Sequence, residues 1–502
     1  MQIGLILVIS ILNLGSVPPG LAGQGTPTSA VILPGSGALS HGPMDPPPAP
    51  AVAAEPDGQA APSEKKPAAP PAEEAPSGPA SAKQAKDAAK AEESKAEEPE
   101  TPFVETWGEF SPGKGFVLGK SKLGSLSLSA YAMARYVNQM PAGQTFTDHL
   151  GNERPVDARN DFFSHRIMVF LTGWVGSPKF YYNIFLWTVN TTAQQGIFAT
   201  FGYQFSRKFS LYAGILGNPG SRSIGGSHPF WLAPDRVMAD ELFRNYFTMG
   251  ISAQGELVPG LWWNATVGNN NSSLAIKATE LDRKLTVGGS VWWMPTTKEF
   301  GPRGAYGDWE MHDTLATRFG VSASHSPENR QTATPTTGAS NNTTIRLADS
   351  LNPFDTGTLA PGVTVESLGY DLLSVDAGIK YRGIFLQAEV YNRWLADFKA
   401  DGPLPVSEIH DWGFYVQAAF YAIPKKIELY AVTSQVFADK AAGFSNSSEY
   451  ILGGNYYPWN SRNYRINAQV ISVNRSPVSS TFGYYVGGQK GTTASMAMSV
   501  FF

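Results

Sequence analysis

Few residues in this chain are spaced for covalent chemistry. The stretch "GEFSPGKG", Gly108 to Gly115, has the GxxxxGK spacing of a phosphate-cradling loop. Gly115 stands where a Ser or Thr would bind magnesium, and no strand–helix context surrounds it. The seven His are scattered, without an H-x-x-x-H pair or a carboxylate at ligand spacing. His325, flanked by Ser324 and Ser326, offers only a chance adjacency, where a hydrolase needs a Ser–His pair with an orienting acid. The acidic "GDWEMHD" gathers Asp308, Glu310 and Asp313 but lacks the spacing of a calcium loop, and reads as a solvated turn. No catalytic residue, metal site or cofactor is therefore expected, and the chain is not expected to be an enzyme.

One stretch groups its charges differently. In "GNPGSRSIGGSHPFWLAPDRVMADELFRN", residues 217–245, Arg222, Arg236 and Arg244 stand against Asp235, Asp240 and Glu241, with His228 nearby. Its centre, Pro229, Phe230, Trp231 and Leu232, is too apolar for a loop waving in water. Facing rows of opposite charge would set up a transverse field that filters solutes by size and dipole. The alternative is salt bridging within the loop. Which arrangement holds depends on the elements around it.

The chain begins "MQIGLILVISILNLGSVPPGLAGQG", an apolar run followed by small residues near Leu21, Ala22 and Gly23, which reads as a secretory signal over 1–23. From 24 to 102 the composition shifts to Pro, Ala, Gly, Ser, Lys and Glu, with nothing to bury, and disorder is expected. Residues 1–102 carry 6 basic and 12 acidic side chains, net −6; residues 103–502 carry 32 and 30, net +2. No later run of about 20 apolar residues could form a membrane-spanning helix. The absence of Cys excludes disulfides and thiolate metal sites. No nucleic-acid partner is expected.

From 103 onward, segments of about ten residues alternate apolar and polar. In "SLSLSAYAMARY" Leu126, Leu128, Ala130, Ala132 and Ala134 oppose Ser125, Ser127, Ser129, Met133 and Arg135. Sixteen strands are expected, beginning near Ser125, His165, Phe180, Phe198, Phe209, Tyr246, Leu261, Leu285, Ala316, Gly369, Ile384, Trp412, Ile427, Tyr450, Arg465 and Thr493. Their links alternate between short turns, such as Ser177-Pro178-Lys179 and Ile423-Pro424-Lys425, and long polar loops. Pro295 to Thr314 is the exception, long where a short turn is expected. A soluble sandwich has no reason to segregate loop lengths in this way. The pattern is that of a transmembrane, antiparallel, up-and-down β-barrel of about 16 strands over 103–502, with a disordered N-terminal extension.

In such a barrel the last strand, "ASMAMSVFF", runs intact to Phe502 because it must pair with the first. Met496, Met498, Val500 and Phe502 then face lipid or a neighbouring protomer. Trp262, Trp263, Trp292, Trp293, Tyr456, Tyr457 and Trp459 suit interfacial girdles. Sixteen strands enclose a water-filled channel, and residues 217–245 are expected to fold onto its inner wall and narrow it. The wall charges expected to face inward are Arg135, Arg318, Asp376, Lys380, Arg382, Glu389, Arg393 and Arg465.

The phrases "GFYVQAAFYAIPKKIELYAVTSQV" and "YILGGNYYPWNSRNYRINAQVISVN", with the Phe-ended final strand, resemble the phosphate-selective porin O/P family over about residues 115–502. The resemblance implies an outer-membrane porin for passive diffusion of small hydrophilic solutes and ions, anions such as phosphate among them. It implies homotrimers, outer-membrane lipid as surroundings, recognition of Phe502 by the barrel assembly machinery, and a periplasmic N-terminal segment. The barrel's charge of only +2 favours a general or weakly anion-preferring porin. A non-conducting structural barrel with an envelope-tethering head is the competing expectation.

Overall fold

The computed structural model describes residues 115–189, 194–224, 230–271, 283–301, 305–330, 345–479 and 483–502. The expected signal segment, the Pro/Ala/Glu-rich segment and His228 lie outside the described residues.

Every expected strand is present. The wall runs β2 (Gly124–Met140), β5 (Asn160–Val175), β6 (Ser177–Val189), β7 (Gln194–Ser206), β8 (Phe209–Gly217), β9 (Phe247–Val258), β10 (Leu261–Gly268) and β11 (Thr286–Trp293). It continues through β12 (Ala316–Asn329), β13 (Val365–Tyr381), β14 (Ile384–Ala400), β15 (Ile409–Ile423), β16 (Ile427–Phe437), β17 (Ser447–Tyr456), β18 (Tyr464–Asn474) and β19 (Gly491–Phe501). Each pairs antiparallel with its neighbour in chain order. β19 returns to β2 from Thr492↔Met140 to Phe501↔Tyr131 and closes a ring of sixteen.

The seam shows how closure removes an edge. Phe502 exchanges two backbone hydrogen bonds of 3.1 Å with Ala130. Below that point β2 would be bare. A strand not foreseen in the sequence, β1 (Phe116–Ser121), covers it by pairing with Gly124–Leu128, and its Phe116 ring lies 5.2 Å from Phe502. A bare strand edge leaves a row of backbone N–H and C=O groups without partners, which is the physical reason for such a filler. A small hairpin, β3 (Gln144–Thr147) with β4 (Glu153–Val156), decorates the first long loop.

The two faces of the wall are inside out relative to a water-soluble sheet. On β13 and β14, Leu373, Val375, Ile379, Leu386 and Val390 are exposed on the outer face. Between them Ser374, Asp376, Lys380, Gln387, Glu389 and Arg393 are buried on the inner face. Met496 and Met498 extend the outer apolar belt across the seam at 58% and 62% exposure.

Three expectations need correction. Arg382 is not a wall residue. It sits exposed in the β13–β14 turn at φ 47°, followed by Gly383 at φ 84°. Positive φ at both central residues is the type I′ hairpin, which matches the twist of the flanking strands. Trp262 and Trp292 face inward and stack at 6.2 Å and 6°, and Tyr457 is buried with its hydroxyl on Glu428, which leaves Trp263, Trp293, Tyr456 and Trp459 of the expected girdle on the outside. Finally, the inner face is not uniformly polar. Tyr131, Met133, Met168, Phe170, Phe185, Ala497 and Phe501 form an apolar sector on β2, β5, β6 and β19.

Candidate functional site: a loop strung across the barrel

Residues 218–224 and 230–246, the described part of the loop between β8 and β9, lie buried against the inner wall, and not only beside those two strands. They cross to the opposite wall. The loop carries one short helix, α1 (Met238–Phe243), whose N-cap residue Val237 supplies no side-chain cap. The wall supplies it instead. The N–H of Met238 donates to Glu449 Oε2 at 2.9 Å, and that of Ala239 to Ser434 Oγ at 2.8 Å. Both acceptors meet orphan donors at the positive end of the helix dipole. Ser434 and Glu449 lie on β16 and β17, eight strands round the ring from β8 and β9. In a ring of sixteen, eight strands away is the far side.

Other contacts tie the same loop down all round the lumen. Asp235 accepts from Arg135 at 3.3 Å and from Arg166 at 3.2 Å, on β2 and β5. Tyr391 on β14 donates to Asp240 at 3.1 Å, and the Phe243 ring stacks on Tyr391 at 5.3 Å. Tyr370 donates to the Phe243 carbonyl at 2.6 Å and Asn455 to the Leu232 carbonyl at 2.9 Å. Arg465 donates to the Trp231 carbonyl, and Arg393 to that of Leu242 at 3.4 Å. Satisfying loop carbonyls with wall donors is what allows a backbone segment to lie buried at all.

The loop's own charges are neutralised pairwise. Arg244 grips Glu241 with two hydrogen bonds of 3.0 and 3.1 Å, and Arg236 faces Asp240 at 3.5 Å. The Arg222 backbone N–H donates to Glu389 at 2.8 Å, while its guanidinium lies 4.3 Å from the Tyr306 ring centre. Arg236 lies over the Trp231 ring at 4.4 Å. Burial pushes the Asp240 carboxyl above its usual range, with Arg236 and the Ser223 hydroxyl pulling the other way. The sites expected on the wall are therefore brought together with those expected on the loop: Arg135, Glu389, Arg393 and Arg465 all touch it directly. Arg318 instead pairs with Asp376 at 2.9 Å, and Lys380 takes another partner.

That partner is the odd link between β11 and β12. Of this link the structure describes 294–301 and 305–315, which rise from the short-turn rim into the lumen. Lys380 Nζ donates to the Phe300 carbonyl at 2.7 Å, and Tyr306 receives the Arg462 guanidinium on its own carbonyl at 3.0 Å. The Tyr306 N–H donates to the Phe230 carbonyl of the crossing loop at 3.0 Å. The link then returns to the rim, where Asp308 accepts the Gly383 N–H at 2.7 Å and the His312 carbonyl accepts the Arg382 N–H at 2.8 Å. Within "GDWEMHD", Asp308 and His312 are thus buried, Glu310 is half-buried and Asp313 exposed, which corrects in part the reading of the stretch as a solvated turn. Asp308, Glu310 and His312 bring their ligand atoms within 4.8 Å of one another. These atoms already have partners: His312 joins Asp308 to Glu299 (Nε2 to Oε1, 2.7 Å), and Glu310 faces Arg462 at 3.5 Å and Lys380 at 3.9 Å. Such a set is an ion-pair knot before it is a metal site.

Between the two insertions lies a cavity of about 20 Å³ lined by Ser223, Trp231, Asp235, Arg236, Asp240 and Tyr415, among others. It has room for about one water. The sequence missed this enclosure because the contacts that create it join residues far apart along the chain.

No family model and no curated relative matches the sequence, so the likeness to the phosphate-selective porins stays a resemblance. Among solved structures, OmpT of Vibrio cholerae in its trimer form aligns with a TM-score of 0.46 at 10% identity, over 76% of this chain and 100% of that one. The anion-selective porin from Comamonas acidovorans gives 0.45 at 13%, over 76% and 100%. The outer-membrane channel DcaP of Acinetobacter baumannii gives 0.43 at 9%, over 77% and 99%. Likeness this distant leaves the fold to rest on the strand pairing itself: a closed antiparallel barrel of sixteen strands.

Proposed function

We propose that this protein is an outer-membrane channel of the porin type, carrying small hydrophilic solutes or ions through a lumen narrowed by the 217–246 loop. The observation that carries the reading is the inversion of the two wall faces. A closed belt of Leu, Val, Ile, Phe and Met looks outward, and polar and ionisable side chains look inward. A sheet with this polarity is at low free energy only with hydrocarbon outside and a polar interior. Sixteen strands are enough to enclose an aqueous passage. In this reading the short-turn rim and the N-terminal segment face the periplasm after removal of 1–23, Phe502 is presented to the assembly machinery, and three copies associate in the membrane. Any anion preference, phosphate included, rests on Arg222 and Arg236 of the loop and on the wall arginines that meet it, Arg135, Arg166 and Arg465.

A second reading has its own observation. Lys380, Glu389, Arg393, Asp411 and Glu449 on the inner wall are all 0% exposed, so at their level the wall is covered by the two insertions rather than lined by water. A barrel permanently held so would be structural. Single-channel recording in planar bilayers separates the two. Discrete conductance steps from purified, heat-modifiable protein support the channel, and reversal potential under a salt gradient then gives its ion preference. Well-folded protein that never conducts overturns it.

A further inference from the structure

We propose that the link between β11 and β12, through its described residues 294–301 and 305–315, is a gate, an internal plug entering from the short-turn rim and latched there through Asp308. The inference rests on the channel reading above and adds what controls it. The other described links on that rim are short, as at 176, 207–208, 259–260, 382–383 and 424–426. A two-residue turn joins β13 to β14. Nothing in the pairing of β11 with β12, in register from Val287↔His325 to Trp293↔Phe319, requires more than twenty residues between them. The extra length goes into the lumen. Tyr306 at its inner end puts its hydroxyl 3.4 Å from that of Tyr415. Tyr415 stands eight residues above Ile423, the rim end of β15. The Tyr306 backbone lies nearer the rim, where its carbonyl accepts from Arg462 of the β17–β18 link, and its side chain reaches inward from there.

The link has two zones with different chemistry. The inner zone is aromatic and meets the crossing loop. Arg222 lies over both the Tyr306 and Phe300 rings, at 4.3 and 5.4 Å, and Tyr306 also packs on Phe385 at 6.0 Å. The outer zone is a latch of charged hydrogen bonds at the rim. The fully buried Asp308 accepts from the Gly383 N–H and holds the His312 ring, which reaches on to Glu299. Glu310 sits between Lys380 and Arg462. Trp309 packs edge-on against Tyr421 and Tyr457, at 6.0 and 5.0 Å. An anchor built from a few exchangeable polar contacts beside water is the kind of element that opens locally while the wall stays paired. The crossing loop, by contrast, is pinned to both walls. The plug and the loop meet at one backbone hydrogen bond, Tyr306 to Phe230, and where Arg222 lies over Phe300 and Tyr306; none of these is a wall anchor of the loop, so withdrawal of the plug leaves those anchors intact.

The test is electrical, on the full chain in planar bilayers. In one variant residues 298–313 are replaced by Asn-Gly, giving β11–β12 the kind of link its neighbours have. In a second, Asp308→Asn weakens the latch without shortening the chain, which guards against a deletion that does not fold. A third is Tyr306→Cys, the sole thiol in a chain that has none. The expected results are a unit conductance at least threefold above wild type for the deletion, and open events at least tenfold more frequent at unchanged unit conductance for Asp308→Asn. For Tyr306→Cys, a charged thiol reagent applied on the short-turn side should react and hold the channel open. A conducting wild type whose conductance and opening frequency none of the three changes overturns the gate and leaves the channel standing. A wild type and variants that all fold and never conduct overturn both.

Discussion

Arg393 and Asp411 face each other across the β14–β15 pairing, with both side chains wholly buried on the inner wall. Their guanidinium–carboxylate hydrogen bond is supplemented by the carbonyls of Leu242 and Arg346 and by the Asp439 N–H. Removing one partner leaves an ion without its counter-charge in a poorly solvated place, which costs roughly 3–5 kcal/mol, whereas replacing both by apolar residues of similar volume costs far less. Arg393→Ala should therefore lower the urea midpoint of the barrel in lipid vesicles by that order, and Arg393→Met with Asp411→Leu should recover most of it. His312 carries a pH-dependent term. Burial works to lower its pKa, but the hydrogen bonds to Asp308 and Glu299 outweigh it, and the net shift is upward. A group whose folded pKa is raised contributes stability that is complete below its unfolded value, here 6.5, and lost as pH rises through the folded value. Thermal midpoints of wild type and His312→Gln should differ most below about pH 6.5 and converge as pH rises above it. A gap that widens in alkali would exclude this role.

Among the elements, α1 is the one whose placement depends most on its surroundings. Six residues cannot hold a helix alone, and the caps at its N-terminus come from β16 and β17. Ser434→Ala with Glu449→Ala should cut the crossing loop loose at its far end. Loss of caps costs typically about 1 kcal/mol each, so the urea midpoint should fall by a correspondingly small amount while current noise in the open state rises. Quiet current with both caps gone would show that α1 is held by Asp235, Tyr370 and Tyr391 alone. Little of this was legible beforehand, whereas the strands were. β14 reads directly from Leu386, Ala388 and Val390 alternating with Gln387, Glu389 and Tyr391, because period-two alternation is a local signal. On β5 and β6, Met168, Phe170 and Phe185 face inward while Val169, Leu171 and Ile184 face out. With apolar residues on both faces, alternation gives no direction. The charges of 217–245 were visible, but their partners were not. Arg135 to Asp235 and Met238 to Glu449 span 100 and 211 residues of sequence, and no spacing rule reaches that far. The β11–β12 link stood out by its length alone, and only the fold shows where Tyr306 goes.

For the molecule as a whole, one physical requirement underlies each of these features: a closed wall must present hydrocarbon outward at every strand, the seam included. β19, β1 and the paired end at Phe502 meet it where the ring closes. The requirement can be tested at a position remote from loops and lumen. Val375 on β13 is 53% exposed on the outer face, directly opposite Val390 of β14 and six residues from the rim at Tyr381. At ~3.4 Å per residue along a tilted strand this is near mid-belt. An arginine there must either be dragged into hydrocarbon or distort the bilayer around it, which costs about 2–4 kcal/mol at the midplane and about 0–1 near the interface. Val375→Arg should accordingly lower folding stability in vesicles by the larger figure, and Tyr381→Arg at the rim by the smaller. Were the outer face merely the solvent side of a soluble sheet, an exposed Val→Arg change would be neutral within about 0.5 kcal/mol, and the two variants would be indistinguishable from wild type in detergent-free buffer. A depth-dependent penalty of the first kind belongs to a surface immersed in lipid.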